Sequence, residues 1–148
     1  MKNYDELCQI LTSLTSGVPH AVANLANAAS AIYGFLDDVN WAGFYIIYGR
    51  KLVLGPFQGK PACIEIPIGK GVCGTAAQTG KTVVVPDVHK FEGHIACDAC
   101  SRSEIVVPLM KNGEVVGVLD IDSPTVGRFT ENDKKGLEAA ARIIEKCI

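Results

Sequence analysis

Two tight turns in the middle of the sequence constrain its fold most strongly. Gly49-Arg50 separates an aromatic and β-branched segment, residues 41–48, from the apolar run that follows it. Asn112-Gly113 separates residues 104–110 from residues 115–122 in the same way. A connection of two or three residues joins only antiparallel neighbours, whereas parallel strands need a long crossover. The sheet is therefore predicted to be largely antiparallel.

Helical patterns flank this region on both sides. Residues 4–14 predict a short helix and residues 19–36 a longer one. The apolar face of the longer helix is expected to carry Val22, Leu25, Ala29 and Tyr33. Near the end of the sequence, Thr130 and Asp133 have the spacing of a capping box. The apolar stripe of the helix that follows consists of Leu137, Ala140, Ala141 and Ile144.

Two further short strands, at residues 63–67 and 82–85, complete the prediction. The expected fold is α+β: a central, largely antiparallel sheet of about six strands with N- and C-terminal helices packed on it. The 148 residues are close to the commonest domain size, so residues 1–148 are expected to form a single domain.

Charge and hydropathy exclude several classes of function. The 14 basic and 16 acidic residues give a net charge of −2, which offers no electrostatic footprint for nucleic acid or an anionic membrane. No apolar run approaches the roughly 18 to 20 residues that span a bilayer. Residues 1–6 include acidic side chains where a secretory signal would be positive and then apolar. We therefore expect a cytoplasmic protein that binds neither nucleic acid nor membrane.

The six cysteines are too few for a disulfide scaffold. In a reducing compartment, cysteines at irregular spacings are more often reactive, metal-ligating or buried than permanently bridged. Cys8 and Cys147 are expected on helix faces near the ends of the sequence. Cys63 is expected to begin a strand and Cys73 to open a short helix, and the pattern predicts burial for neither.

The densest polar stretch, residues 89–104, is too long for a turn and is predicted to be a functional loop. It holds Cys97, with His94 three residues before it and Arg102 five residues after it, either of which could lower a thiol pKa. Cys97 and Cys100 could instead join the loop histidines in a metal site, although no second ligand pair completes one. The same spacing is compatible with a redox dithiol and with an unreactive loop cysteine.

The glycine motif Gly69-x-Gly71-x-x-Gly74 matches the dinucleotide-binding fingerprint, with Asp87 further on. The helix predicted after it, residues 72–79, is too short for a parallel crossover unit. We therefore interpret the motif as a turn into a short helix, whose first backbone N–H groups suit an anion such as a carboxylate.

Two acidic side chains, Asp120 and Asp122, share one face of the last predicted strand because residues two apart point the same way. They could be solvated turn residues or a site for a cationic ligand group. If residues 111–113 form a three-residue loop, Glu104 pairs with Asp120 on the same face. A two-residue turn would pair Ile105 with Asp120 and turn Glu104 away, and we favour the first register.

An aromatic pair, Trp41 and Tyr45, lies four residues apart in the first predicted strand and therefore on one face of it. Core packing explains such a pair, and so does the wall of an apolar ligand pocket. The sequence alone leaves these two interpretations open.

Six motifs follow one another along nearly the whole sequence. They are Trp41-Ala-Gly-Phe-Tyr45, Pro61-Ala-Cys63-Ile, Gly69-Lys-Gly-Val-Cys73-Gly-Thr, Gly93-His-Ile-Ala-Cys97-Asp, Ser101-Arg-Ser-Glu104-Ile-Val and Gly117-Val-Leu-Asp120-Ile-Asp122-Ser. Together they closely resemble the free methionine-(R)-sulfoxide reductases, which are single GAF-domain enzymes. The resemblance implies a GAF-like fold with one catalytic domain over residues 1–148. A GAF-type ligand-binding or redox-sensing domain without turnover is the alternative, but such domains are not expected to carry this cysteine set.

The resemblance implies reduction of free L-methionine-(R)-sulfoxide to L-methionine through a sulfenic acid and an intramolecular disulfide, with thioredoxin as the reductant. It implies no cofactor and no metal, and it leaves a homodimer open. By position, Cys97 resembles the catalytic cysteine, Cys63 the main resolving cysteine and Cys73 a further redox-active one. The residues that match the substrate site are Trp41, Tyr45, Glu104, Asp120 and Asp122. Cys100 departs from the family pattern and leaves the choice of resolving cysteine open.

Overall fold

The computed structural model describes residues 2–95, 97 and 99–148. Ala96 and Asp98, which belong to the motif around Cys97, lie outside the described residues, as does Met1. The elements in chain order are α1 (Tyr4–Thr15), α2 (Ala21–Phe35), β1 (Trp41–Tyr48), β2 (Lys51–Gly59), β3 (Glu65–Pro67), α3 (Gly71–Thr79), β4 (Val83–Val85), β5 (Ser103–Lys111), β6 (Glu114–Ser123) and α4 (Glu131–Glu145).

The six strands form one sheet in the order β3-β2-β1-β6-β5-β4, and every neighbouring pair is antiparallel. This confirms the predicted α+β architecture. The sheet separates two apolar clusters, because alternate side chains of β1 point to opposite faces. Ala42 and Phe44 pack with α1, α2 and α4, while Trp41 and Tyr45 pack with α3. Within the described part of the chain, no helix is both long and apolar enough to cross a membrane.

The terminal helices close the first cluster. Thr130 and Asp133 form the predicted capping box at the start of α4, and the predicted stripe of α4 is buried. The Tyr4 hydroxyl of α1 donates a 2.6 Å hydrogen bond to Asp133, and the Tyr4 ring packs over Gly136. A Cβ on Gly136 would overlap that ring, so α1 and α4 approach closely because residue 136 has no side chain.

The predicted apolar face of α2 is partly wrong. Val22 is 72% exposed and Tyr33 also reaches solvent, although Leu25 and Ala29 are buried as expected. The buried face is formed by Asn24, Leu25, Ala28, Ala29 and Ile32. The small alanines let α2 lie close to the sheet. The side of the helix that carries them is therefore buried, and the side that carries Val22 and Tyr33 is not.

Several predicted boundaries move by a few residues. Cys63 lies two residues before β3 rather than in it, and Cys147 lies beyond the end of α4. One turn of 3-10 helix, Val88–Lys90, occupies the start of the predicted loop. Cys73 is buried in α3, which the sequence pattern did not predict.

The favoured register of the β5–β6 hairpin is wrong, because the turn has two residues and Lys111 pairs with Glu114. The register then shifts by one residue between Leu109 and Met110, and Val116 is left without a partner across the hairpin as a β-bulge. Beyond the bulge Glu104 faces Asp122 instead of Asp120. Because of the bulge, Glu104, Asp120 and Asp122 lie on one face of the sheet, as expected from the sequence.

Candidate active site

The second face of the sheet forms the floor of a pocket. Trp41 of β1 pairs with Asp122 of β6, and Asp122 pairs with Glu104 of β5, so these side chains point the same way. The walls come from α3, from the segment between β2 and β3 and from the loop before β5. The predicted site residues that line the pocket are Trp41, Tyr45, Cys73, Cys97, Glu104, Asp120 and Asp122. Cys63, also a predicted site residue, lies outside this lining and is bonded to a member of it.

Part of the apolar wall was not predicted from the sequence. Ile66 of β3 and Val72 of α3 line the pocket, and so do Pro61, Ala62 and Ile95. Ile66 and Val72 lie in elements too short to show a periodic pattern, and the other three lie between elements. The motifs around Cys63 and Cys73, which contain some of them, are the signal that could have identified them.

The carboxylates are held in an environment that disfavours their charged forms. Glu104 is 7% exposed and Asp120 is 6% exposed. Burial raises the pKa of Glu104 well above its usual range, and the negative charge of Asp122 raises this pKa further. Burial likewise raises the pKa of Asp120, and the neighbouring Glu104 adds to the effect. Burial and the mutual repulsion of like charges therefore both favour a protonated carboxyl in this cluster.

His94 contributes a nearby imidazole. Its Nε2 lies 3.7 Å from Oε1 of Glu104, which is too long for a hydrogen bond. Burial lowers the pKa of His94 below its ordinary value of 6.5, so the ring is neutral at neutral pH and its contact with Glu104 is not an ion pair. The sequence offered His94 as a group that could lower the pKa of the Cys97 thiol; in the structure His94 lies beside Glu104 and lines the same pocket as Cys97. Arg102, the other group considered for the thiol, is exposed and does not line the pocket.

Cys73 sits at the bottom of the pocket, in the first turn of α3. Its Sγ lies 4.0 Å from Oε2 of Glu104. Burial raises the pKa of the Cys73 thiol well above 9.0, and the charges of Asp120 and Glu104 raise it further. The thiolate is the reactive form of cysteine, so Cys73 is a weak nucleophile in this environment.

A disulfide joins Cys63 to Cys97, whose Cα atoms are 5.6 Å apart. It connects the segment between β2 and β3 to the loop before β5, across 34 residues of sequence. This is the pair of cysteines that the resemblance identifies as resolving and catalytic. In this disulfide-bonded form the Cys97 sulfur is bonded to Cys63, and Cys100 is exposed.

The aromatic pair satisfies both sequence interpretations, since Trp41 and Tyr45 are buried and also line the pocket. Their rings stack with centroids 6.0 Å apart, and Phe57 of β2 stacks on the other side of Trp41 at 5.2 Å. The result is a rigid aromatic wall beside the carboxylates, suited to an apolar ligand group.

Comparison with known proteins decides the family. The family model for the GAF domain matches residues 6–148 of this chain. A protein of Escherichia coli (strain K12) named free methionine-R-sulfoxide reductase is 49% identical over 98% of this chain and 88% of its own length. A solved structure of fRMsr of Staphylococcus aureus in complex with substrate is 53% identical, with a TM-score of 0.94 over 99% of this chain and 95% of that chain. The chain belongs to the free methionine-R-sulfoxide reductase family of GAF domains.

The GAF fold alone would not have identified this family. The solved GAF domain of an Acinetobacter phosphoenolpyruvate-protein phosphotransferase has a TM-score of 0.86 over 99% of this chain and 94% of that chain, yet only 16% identity. It therefore shares the fold and carries no argument about chemistry. The free methionine-R-sulfoxide reductase family is recognised by sequence identity. This chain also has a disulfide whose Cys97 lines an acidic pocket.

The start of α3 completes the site with backbone groups. Gly71, Val72 and Cys73 line the pocket, and Lys70 at the N-cap gives α3 no side-chain cap. Gly71 has φ of +64°, a conformation that favours glycine, and a Cβ there would lie 3.1 Å from Ile95. In this family member the glycine motif is thus a turn into a nine-residue helix, as expected, and not part of a dinucleotide-binding unit.

Cys73, Glu104 and Asp120 are the described residues whose ligand atoms lie close enough to share a metal ion, all within 4.8 Å of one another. This is a different set from the loop cysteines and histidines considered from the sequence. Binding a metal would require these groups to lose protons, which their raised pKa values oppose.

Proposed function

We propose that the protein reduces free L-methionine-(R)-sulfoxide to L-methionine, with Cys97 as the nucleophile. The observation that carries this proposal is the convergence of Cys97 with Glu104, Asp120 and Asp122 in one pocket beside an aromatic wall. A sulfur nucleophile, a source of protons and a cation-binding surface are the three elements that reduction of this substrate needs. Residues 1–148 act in the proposal as one catalytic domain.

Substrate recognition follows from the charges of the pocket. The carboxylate groups of Asp122 and its neighbours bind the substrate ammonium, and the uncapped first turn of α3 binds the substrate carboxylate. The methyl end of the side chain packs against Trp41 and Tyr45. A peptide-bound methionine sulfoxide lacks the free ammonium and is therefore rejected.

The raised carboxyl pKa values supply the acid. A sulfoxide sulfur becomes electrophilic when its oxygen is protonated or strongly hydrogen-bonded, and this needs a proton donor beside the thiolate. Burial raises the pKa of Glu104 and of Asp120, which favours a retained proton on one of them while the remaining carboxylates of the cluster bind the ammonium. In this scheme the acid is one of these two carboxyls.

The reaction balances without a cofactor. The Cys97 thiol takes up the sulfoxide oxygen as a sulfenic acid, the S–O bond of the substrate breaks, and methionine leaves. The Cys63 thiol then condenses with the sulfenic acid, releasing water and forming the disulfide seen between these two residues. A dithiol reductant, which we propose to be thioredoxin, restores both thiols by exchange. Cys73 is proposed as a secondary redox residue that reacts when Cys63 cannot.

A transient disulfide requires a compartment that reduces it, so we propose that the protein works in the cytoplasm. The chemistry needs no nucleic acid and no membrane. A homodimer is compatible with the proposal, since every proposed site residue belongs to one chain.

Single cysteine substitutions test the assignment. Cys97→Ser is expected to abolish methionine formation with dithiothreitol and with thioredoxin. Cys63→Ser should still release stoichiometric methionine from prereduced protein in one turnover, whereas its thioredoxin-driven cycling should fall by about tenfold or more. Cys8→Ser, in α1 and remote from the pocket, is the matched control and should behave like the wild type. Methionine formation by a Cys97→Ser protein would contradict the assignment.

A further inference from the structure

The segment that carries Cys63 is attached to the aromatic wall by two hydrogen bonds. The indole Nε1–H of Trp41 donates to the carbonyl of Lys60 at 3.1 Å. The hydroxyl of Tyr45 donates to the carbonyl of Cys63 itself at 2.9 Å. Both donors are buried and both belong to β1, a central strand of the sheet. The two bonds therefore join the ends of the segment 60–63 to a central strand of the sheet.

This attachment matters because the segment lies between strands. β2 ends at Gly59 and β3 begins at Glu65, so Cys63 is not in a strand. A disulfide forms only when the two Cα atoms are about 4.4 to 6.8 Å apart. The Cα atoms of Cys63 and Cys97 are 5.6 Å apart, and a shift of the segment by about 2 Å away from Cys97 would leave this range.

We infer that Tyr45, assisted by Trp41, is a positioning residue for the resolving step: its hydroxyl holds the Cys63 backbone so that the thiol can reach the Cys97 sulfenic acid. The inference rests on the proposed function, in which that sulfenic acid forms. Tyr45 itself is not consumed. In the step that it assists, Cys97–SOH and Cys63–SH become a disulfide and one water molecule.

This role is separable from the role of the ring as a pocket wall. The ring face contributes apolar surface to the pocket, whereas only the hydroxyl contacts the Cys63 carbonyl. Tyr45→Phe keeps the ring and removes the hydrogen bond. Trp41→Phe likewise keeps an aromatic side chain and removes the bond to Lys60. Tyr4→Phe is the matched control, because Tyr4 is also a buried tyrosine with a hydrogen-bonded hydroxyl, but its partner is Asp133.

The test follows resolution separately from methionine release, in a Cys100→Ser background so that Cys100 cannot act as a resolving thiol. Prereduced protein receives one equivalent of free L-methionine-(R)-sulfoxide and is quenched over time with and without dimedone, which traps sulfenic acid. Methionine, the dimedone adduct and the Cys63–Cys97 disulfide are quantified by mass spectrometry. For Tyr45→Phe we expect disulfide formation to be slowed about fivefold relative to the methionine burst of the same variant, with a corresponding rise in the adduct. Trp41→Phe should change in the same direction.

Redox titration of the same variants against glutathione gives a readout that does not need the substrate. The effective concentration of the Cys63 thiol at Cys97 should fall about fivefold in Tyr45→Phe and stay unchanged in Tyr4→Phe. Disulfide formation in Tyr45→Phe as fast as in the wild type, relative to each protein's own methionine burst, would overturn the inference, and so would an unchanged effective concentration in the titration. No methionine from the wild type would instead contradict the proposed function, and in that case the titration alone decides whether Tyr45 positions Cys63.

Discussion

At the residue scale, burial of the pocket carboxyls lowers folding stability as pH rises and favours a proton donor in the pocket. Burial raises the pKa of Asp120, so its protonated form is favoured in the folded protein. The unfolded chain titrates near the ordinary value of 3.8. As pH rises above that value, the unfolded state loses its proton first. The free energy of unfolding therefore falls as pH rises from 3.8 towards the raised pKa of the folded protein. This loss of stability accompanies the retention of a proton donor in the pocket.

Asp120→Asn is therefore expected to stabilise the protein and impair the reaction. The amide is neutral at every pH, so its melting temperature should exceed that of the wild type at neutral pH, with the difference disappearing near pH 4. Methionine formation should fall by about tenfold or more, because the amide cannot supply the proton that the carboxyl donates. Thermal melts across this pH range, paired with the reductase assay, provide the check. An Asn variant that is less stable than the wild type at neutral pH would show that Asp120 is ionised.

At the element scale, the bulge in β6 decides which side chains meet. The turn at Asn112-Gly113 is readable from sequence, whereas no local pattern marks the bulge at Val116. Gly117, directly after the bulge, lies so close to β1 that a Cβ would be 2.7 Å from the carbonyl oxygen of Tyr45. Local signals thus predicted the strands and the shared face of Glu104 and Asp120, while the register depended on contacts that no local pattern encodes.

Gly117→Ala should consequently disturb both stability and the site. Forcing a methyl group against the β1 backbone is expected to cost about 1–3 kcal/mol of unfolding free energy and to lower activity, since β6 carries the pocket carboxylates. Gly34→Ala in α2 is the matched control, because among the described residues nothing beyond its chain neighbours and the backbone of its own helix lies within 4 Å of its Cβ position. It should be neutral or slightly stabilising. Denaturant unfolding and the reductase assay compare the two, and equal stability of the two variants would contradict the close approach.

At the scale of the whole molecule, the two sides of the sheet have different tasks. The helices α1, α2 and α4 cover one side, and the larger of the two apolar clusters lies between them and the sheet. The other side carries α3, the disulfide and the pocket. The sequence predicted this division only in part. Helix caps and turns are local, but burial of Cys73 and exposure of Val22 depend on how elements pack, and the Cys63–Cys97 pairing came from family resemblance rather than from residue chemistry.

This separation of the two sides predicts that a substitution that destabilises the helical side leaves catalysis unchanged. Gly136→Ala pushes a methyl group into the Tyr4 ring between α1 and α4, far from the pocket, and should destabilise the protein by about 1–3 kcal/mol. At a temperature where the variant remains folded, its kcat and KM for the substrate should match the wild type. A large change in either constant would indicate that the helical side is coupled to the site.

The central claim is that the acidic pocket selects a free amino acid for reduction. The most direct test measures methionine formation by mass spectrometry from free L-methionine-(R)-sulfoxide, its S epimer and the N-acetylated R epimer, with dithiothreitol as the reductant. We predict turnover of the free R epimer, none of the S epimer, and kcat/KM for the N-acetylated compound at least about 30-fold lower, because it leaves buried carboxylates without their cation. Equal reduction of the free and N-acetylated R epimers, or no reduction of either, would contradict the account.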